Sequence, residues 1–136
     1  MFRTTMEIFR LEATSRTPEV ELNPEQGTLS MIGESYPEDI RTYYEPITVA
    51  LEQFAATQPS DLKITIKLTY FNSGSARALM ELLDAIDEAA QGNFNAELNW
   101  YCDPDDDITQ EFVEDIAADL SAVKLQMLDL DPNDLV

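Results

Sequence analysis

Apolar and polar positions alternate with a period of two along "DLKITIKLTYF", residues 61–71. Leu62, Ile64, Ile66, Leu68 and Tyr70 fall on one face, against Lys63, Thr65, Lys67 and Thr69 on the other, which predicts a strand. "EIFRLEAT", residues 7–14, mixes the two classes and is a candidate first strand. "PEVELNPEQGTLSMIGE" alternates through Val20 and Leu22, then Leu29 and Met31. Asn23-Pro24 and Gly27 mark a turn between these pairs, so the segment reads as a hairpin.

The period then changes. In "SYPEDIRTYYEPITVALEQFAA", residues Ile40, Tyr44, Ile47, Leu51 and Phe54 form one stripe at helical spacing. Ser35 and Glu38 stand three apart, a capping-box spacing with Pro37 in the first turn, and Pro46 predicts a kink or break inside the helix. A second helix starts near Ala76, buries Leu79, Leu82, Leu83 and Ile86, and runs out before Gly92. "FNAELNWYC", residues 94–102, is another strand, in which one of Trp100 and Tyr101 faces the core and the other the surface. "DITQEFVEDIAADL" is a third helix, with Ile108, Phe112, Ile116 and Leu120 expected on its inner face. "VKLQMLDL" reads as a last strand, and residues 131–136 as a flexible C-terminal tail. The pattern predicts one α/β domain over residues 1–130: a single mixed β-sheet with an N-terminal hairpin and three α-helices, the helix-linked strands parallel.

Composition narrows the function more than the fold. Hydrophobic residues make up 44% of the 136, and no run approaches the ~18–20 apolar residues that cross a bilayer, so no membrane insertion is expected. The N-terminus lacks a signal-peptide pattern and Cys102 is the lone cysteine, which points to a reducing, cytoplasmic setting. Eight Lys and Arg against 27 Asp and Glu give a net charge of −19. Such a surface repels nucleic acid, and either keeps the chain soluble, as in a salt-rich cytoplasm, or steers it toward a basic partner.

Catalytic chemistry is sparse. Without histidine there is no Ser-His-Asp triad, no Cys-His pair and no ordinary zinc site. Gly27, Gly33, Gly74 and Gly92 match neither a dinucleotide fingerprint nor a P-loop. No enzymatic activity and no cofactor are expected. Asp103, Asp105, Asp107 and Glu114 fall at calcium-loop positions 1, 3, 5 and 12, but Ile108 stands where the loop needs glycine. Carboxylates at a helix start explain that run better, and no metal site is assigned; an acidic metal-binding protein stays an alternative.

The informative stretch is "LTYFNSGSARALMELLDAI", residues 68–86, where a strand passes into a helix through Asn72, Ser73, Gly74 and Ser75. Any of the three polar residues can cap the helix. A hydroxyl here has a second use, because helix N-terminal N–H groups and the dipole favour a phosphate. Arg77 is a candidate partner for it.

Four segments together resemble the SiaC family of bacterial regulatory phosphoproteins: "SRTPEVELNPEQGTLSMIGESYPED", "YYEPITVALEQF", "LTYFNSGSARALMELLDAI" and "LNWYCDPDDDITQEFVEDI". The resemblance implies a STAS-like fold and a partner-switching role like that of anti-sigma-factor antagonists. It implies a dedicated kinase that phosphorylates the hydroxyl residue following the FN of the YFN motif, here Ser73, and a PP2C-type phosphatase that removes the phosphate. The family more often has Thr-Ser-Ser where this chain has Ser73-Gly74-Ser75, which keeps Ser75 as the alternative acceptor. The unphosphorylated form is implied to bind and activate a diguanylate cyclase, raising cyclic di-GMP and favouring aggregation or biofilm growth. The competing reading is a constitutive protein–protein interaction module in which Ser73 is only a cap.

Overall fold

The protein is described by a computed structural model at residues 6–131 and 133; positions 132 and 134–136 of the expected tail lie outside the described residues. Nine elements follow in chain order: β1 (Phe9–Leu11), β2 (Glu19–Asn23), β3 (Thr28–Ser35), α1 (Ile40–Ala56), β4 (Asp61–Phe71), α2 (Ser73–Ala90), β5 (Asn95–Cys102), α3 (Asp107–Asp119) and β6 (Val123–Asp129). The strands form one six-stranded sheet in the order of the sequence. β1, β2 and β3 pair antiparallel, while β3, β4, β5 and β6 run parallel, so the sheet is mixed as expected. Each parallel strand lies beside its predecessor, and right-handed crossovers then place every helix on the same face.

The burial pattern agrees. Val20, Leu22, Leu29, Met31, Leu62, Ile64, Ile66, Leu98 and Trp100 are buried beneath the helices. The opposite face is open, and it holds all three lysines. Lys63 pairs in register with Glu97, and Glu97 with Lys124. Lys67 lies 4.7 Å from the ring centroid of Tyr101, which settles the Trp100–Tyr101 pair: Trp100 is core and Tyr101 faces outward. The Trp100 indole N–H is buried with no hydrogen-bond partner among the described residues; the ring packs against Phe71 and Phe112, with centroids 6.1 Å away from each.

One irregularity changes the predicted alternation. Gly33 pairs with Leu68, but Glu34 pairs with Tyr70, so Thr69 is an extra residue in β4. The bulge reverses the in–out phase. Tyr70 therefore leaves the face predicted for it and is exposed, edge-on to Tyr36, while Phe71 turns inward against Phe112, with centroids 5.5 Å apart. Gly33 has φ +132°, and a Cβ there would come within 3.3 Å of Pro18 Cα, so the bend is built around glycine.

Three expectations about helices are corrected. Ser35 does not start α1: it ends β3, and the N-cap is Asp39, whose carboxylate accepts the Thr42 N–H at 3.1 Å. Pro37 consequently precedes the helix instead of opening it. Pro46 does not break α1, which is continuous from Ile40 to Ala56. On α3, Ile108 is 84% exposed, and Val113 and Ile116 are the buried residues. At 100° per residue the stripe through 112, 113, 116 and 120 is centred about 100° away from Ile108, so that side chain points off the core.

Asp87 fastens the far end of α2 to the turn before β6. Its carboxylate accepts N–H groups from Ser121 at 3.2 Å, Ala122 at 2.7 Å and Val123 at 2.8 Å, and the Ser121 hydroxyl at 3.1 Å. A carboxylate that is buried and still ionised needs this many donors.

Candidate functional site

The site grows from the junction of β4 and α2. The strand ends at Phe71, and the Asn72 N–H donates to the carbonyl of Ser35 at 3.1 Å, anchoring the junction to the end of β3. Asn72 has extended backbone angles and its side-chain oxygen accepts the Ser75 N–H at 2.8 Å, so Asn72 is the N-cap of α2. This assigns the capping role that the sequence left open. Ser73 is then the first helical residue, with an exposed side chain whose hydroxyl makes no hydrogen bond among the described residues.

Ser75 differs in every respect. It is 0% exposed and accepts a hydrogen bond at 2.9 Å from the Ser35 hydroxyl. Ser35 in turn lies 2.6 Å from the phenolic oxygen of Tyr44 on α1. Since the single hydroxyl proton of Ser35 is directed at Ser75, Tyr44 is the donor to Ser35. Burial pushes the Tyr44 phenol up, against the opposing pull of the Ser35 and Ser75 hydroxyls, and it stays neutral. The three hydroxyls join β3, α1 and α2 on the buried side of the turn that carries Ser73. Sequence reading missed this cluster by assigning Ser35 to a cap. Two phases carried the signal: Ser35 continues the inward phase of Leu29 and Met31, and Ser75 lies one turn before the buried Leu79.

Gly74 has a packing reason. A Cβ there would meet Ile40 Cγ1 at 3.1 Å and Cδ1 at 3.2 Å, so a residue without a side chain lets the first turns of α1 and α2 touch. Arg77 is exposed and lies 3.6 Å from Glu81 on its own helix. It is four residues after Ser73, the spacing at which helical side chains meet. The structure thus places Asn72, Ser73, Gly74, Ser75 and Arg77 on one turn and a half of helix. Of these, Ser73 and Arg77 are exposed, Asn72 and Gly74 are half-buried and Ser75 is buried.

The acidic run after β5 serves local structure. Asp103 accepts the Asp105 N–H at 2.9 Å, and Asp106 caps α3 by accepting the N–H and hydroxyl of Thr109 at 3.0 and 2.6 Å. Those bonds to Thr109 hold the Asp106 carboxyl below the usual range. Among the described residues no group of three or more His, Cys, Asp or Glu is arranged to hold a metal ion, and no helix is long and apolar enough to cross a membrane. Cys102 is buried; burial first, and the nearby Asp106 carboxylate second, push its thiol up to about 11, which leaves it unreactive at neutral pH.

Comparison with known proteins agrees with this geometry. The profile of the SiaC family of regulatory phosphoproteins matches residues 11–130. An uncharacterized protein of Pseudomonas aeruginosa (strain UCBPP-PA14) is 31% identical over 116 residues, which span 85% of this chain and 92% of that protein. The crystal structure of apo-SiaC from Pseudomonas aeruginosa superposes with a TM-score of 0.81 at 29% identity, over 90% of this chain and 99% of that one. A chain in the crystal structure of the diguanylate cyclase SiaD in complex with its activator SiaC, from the same species, gives a TM-score of 0.77 at 30% identity, over 88% and 98% of the two chains. Profile, sequence and fold agree over nearly the whole length, and this chain belongs to the SiaC family of regulatory phosphoproteins.

Proposed function

We propose that the chain is a non-enzymatic regulatory protein switched by phosphorylation of Ser73, and that its unphosphorylated form binds and activates a diguanylate cyclase. A dedicated kinase adds the phosphate and a PP2C-type phosphatase removes it. The output is cyclic di-GMP signalling that favours aggregation or biofilm growth. The observation that carries the reading is the contrast within one helical turn: the Ser73 hydroxyl is exposed and unbonded among the described residues, whereas Ser75 is buried and bonded to Ser35. The solved complex of a related activator with a diguanylate cyclase supports the class of partner.

The physics suits a local switch. Phosphate adds about −1.5 to −2 charge, little against −19, so the total field hardly changes. At the first position of α2, however, the phosphate meets free N–H groups and the positive end of the dipole, and Arg77 lies one turn away. Phosphorylation therefore firms the helix start and replaces a small neutral hydroxyl by a dianion at one point of the surface.

Phosphopeptide mapping of the chain purified from its native host tests the assignment, using a digest that separates Ser73 from Ser75. The expected result is one phosphate, on Ser73, absent from Ser73→Ala and retained in Ser75→Ala. Phosphate that persists in Ser73→Ala would overturn it. The constitutive-module reading differs in expecting no phosphate on Ser73; the cap it gave to Ser73 is supplied by Asn72.

A further inference from the structure

The sheet ends unequally at its two edges. β1 has three residues, whereas β6 has seven, and no strand among the described residues pairs with the outer side of β6. Pairing with β5 fixes the direction of the backbone groups along β6. The Leu130 N–H donates to the carbonyl of Cys102 at 2.8 Å, so residue 130 faces β5, and residues 128, 126 and 124 face it in turn. In a strand the N–H and C=O of one residue point to one side and those of the next to the other. Val123, Leu125, Met127 and Asp129 therefore turn their N–H and C=O groups away from the sheet. An edge of this length is commonly blunted by a bulge, a proline or an inward-pointing charge. β6 is in unbroken register with β5 and holds no proline. Its helix-side residues up to the terminal Asp129 are apolar, with Leu125 and Met127 half-buried at the rim of the core. Its two charges, Lys124 and Asp129, cancel, in a chain of net charge −19.

We infer that β6 pairs with β6 of a second copy of this chain, antiparallel about a two-fold axis at Gln126, joining the two sheets into one. A row of free backbone N–H and C=O groups selects an extended strand over a helix. A two-fold axis normal to the sheet sets one residue opposite itself, and Gln126 is the midpoint of β6, so this centre engages all seven residues. Leu125 then lies opposite Met127 of the second copy, and Val123 opposite its Asp129. These are the residues with outward groups, so each pair exchanges both of its hydrogen bonds. On the helix side Leu125 meets Met127, apolar on apolar. On the open face Lys124 lies opposite Leu128 and the two Gln126 amides face each other, so no like charges are opposed across the seam. Charge resists the contact from the layer above. Every charged residue of α3 is acidic, and the axis brings two copies of α3 side by side. Screening relieves that repulsion, so association strengthens with salt, the reverse of an interface held by ion pairs. The pairing is independent of the switch reading, because β5 stands between β6 and the strand that leads to Ser73.

Sedimentation equilibrium of the full chain, from about 5 µM to about 500 µM in about 0.15 M and about 2 M sodium chloride, measures the association. A monomer–dimer equilibrium that tightens about tenfold or more in the higher salt is expected. A monomer throughout, or a dimer that loosens with salt, would overturn the inference. Met127→Pro removes an N–H that bonds nothing inside the sheet, a position where an edge strand accepts proline. It should abolish the dimer while circular dichroism stays native, and a folded variant that still dimerises would move the contact off β6. Cysteine pairing reads the register separately, whether or not that variant folds, since the native Cys102 is buried. Copies of residue 126 face each other in a non-hydrogen-bonded pair with Cβ atoms about 4.5 Å apart, within reach of a disulfide. Copies of residue 124, each opposite 128, are offset by four residues or about 13 Å. Mild oxidation should link Gln126→Cys into a dimer and leave Lys124→Cys monomeric; equal or reversed yields would overturn the pairing.

Discussion

Ser73 and Ser75 show how far a two-residue step separates side chains on a helix. Two steps of 100° turn one serine to solvent and the other into a hydroxyl cluster with Ser35 and Tyr44. Asp87, on the same helix, is the one buried carboxylate of the described core. Burial acts to raise its pKa, but the N–H groups of Val123, Ser121 and Ala122 and the Ser121 hydroxyl outweigh burial and hold it below the usual range. A folded-state pKa below the unfolded value of about 3.9 means that the stabilisation is fully present above that pH and is lost as pH falls through the folded value. Asp87→Asn is expected to lower stability by about 2–3 kcal/mol near neutral pH. Thermal melts from about pH 6 down to about pH 2 should show the gap to wild type closing as the native carboxylate protonates. A gap that stays constant would assign the loss to packing instead of charge.

At the scale of elements, the start of α2 separates the residue that caps from the hydroxyl that is exposed. Asn72→Ala removes the side chain that accepts the Ser75 N–H, and chemical denaturation should show a loss of about 1 kcal/mol. Ser73→Ala removes a hydroxyl that bonds to nothing among the described residues, and stability should change by less than about 0.5 kcal/mol. The reverse ranking would return the cap to Ser73. The β3–β4 bulge works at the same scale. By admitting Thr69 it brings Phe71 onto Trp100 and Phe112 and sets the exit of β4, hence the position of Asn72 and Ser73. Period-two alternation along β4 was legible up to Leu68. The slip beyond it was not, because a bulge is a property of a strand pair and the sequence displays one strand at a time.

Across the whole molecule, charge is segregated. All three lysines lie on the open sheet face, interleaved with acids such as Glu97, so most of the excess of −19 falls elsewhere, on helices and loops. Like charges so crowded oppose the compact state. Raising salt from about 0.1 M to about 1 M shortens the screening length from about 10 Å to about 3 Å, and the melting temperature should rise. A melting temperature that is flat or falling with sodium chloride would show that repulsion does not limit stability.

What the sequence determined by itself was periodicity and chemistry. Alternating and helical spacings specified the hairpin, the three helices and the parallel strands, because each buries one face and must repeat its apolar residues in step with its own geometry. The YFN motif and its neighbours likewise pointed to the family and to the turn that carries Ser73. Only the tertiary structure decided which hydroxyl is reachable and which asparagine or serine caps. Those outcomes depend on Ser35, Tyr44 and Ser75 meeting from three different elements and on Gly74 letting two helices touch. Local spacing carries no information about such meetings. They exist once the chain has closed its long loops, when burial decides which polar groups keep contact with water.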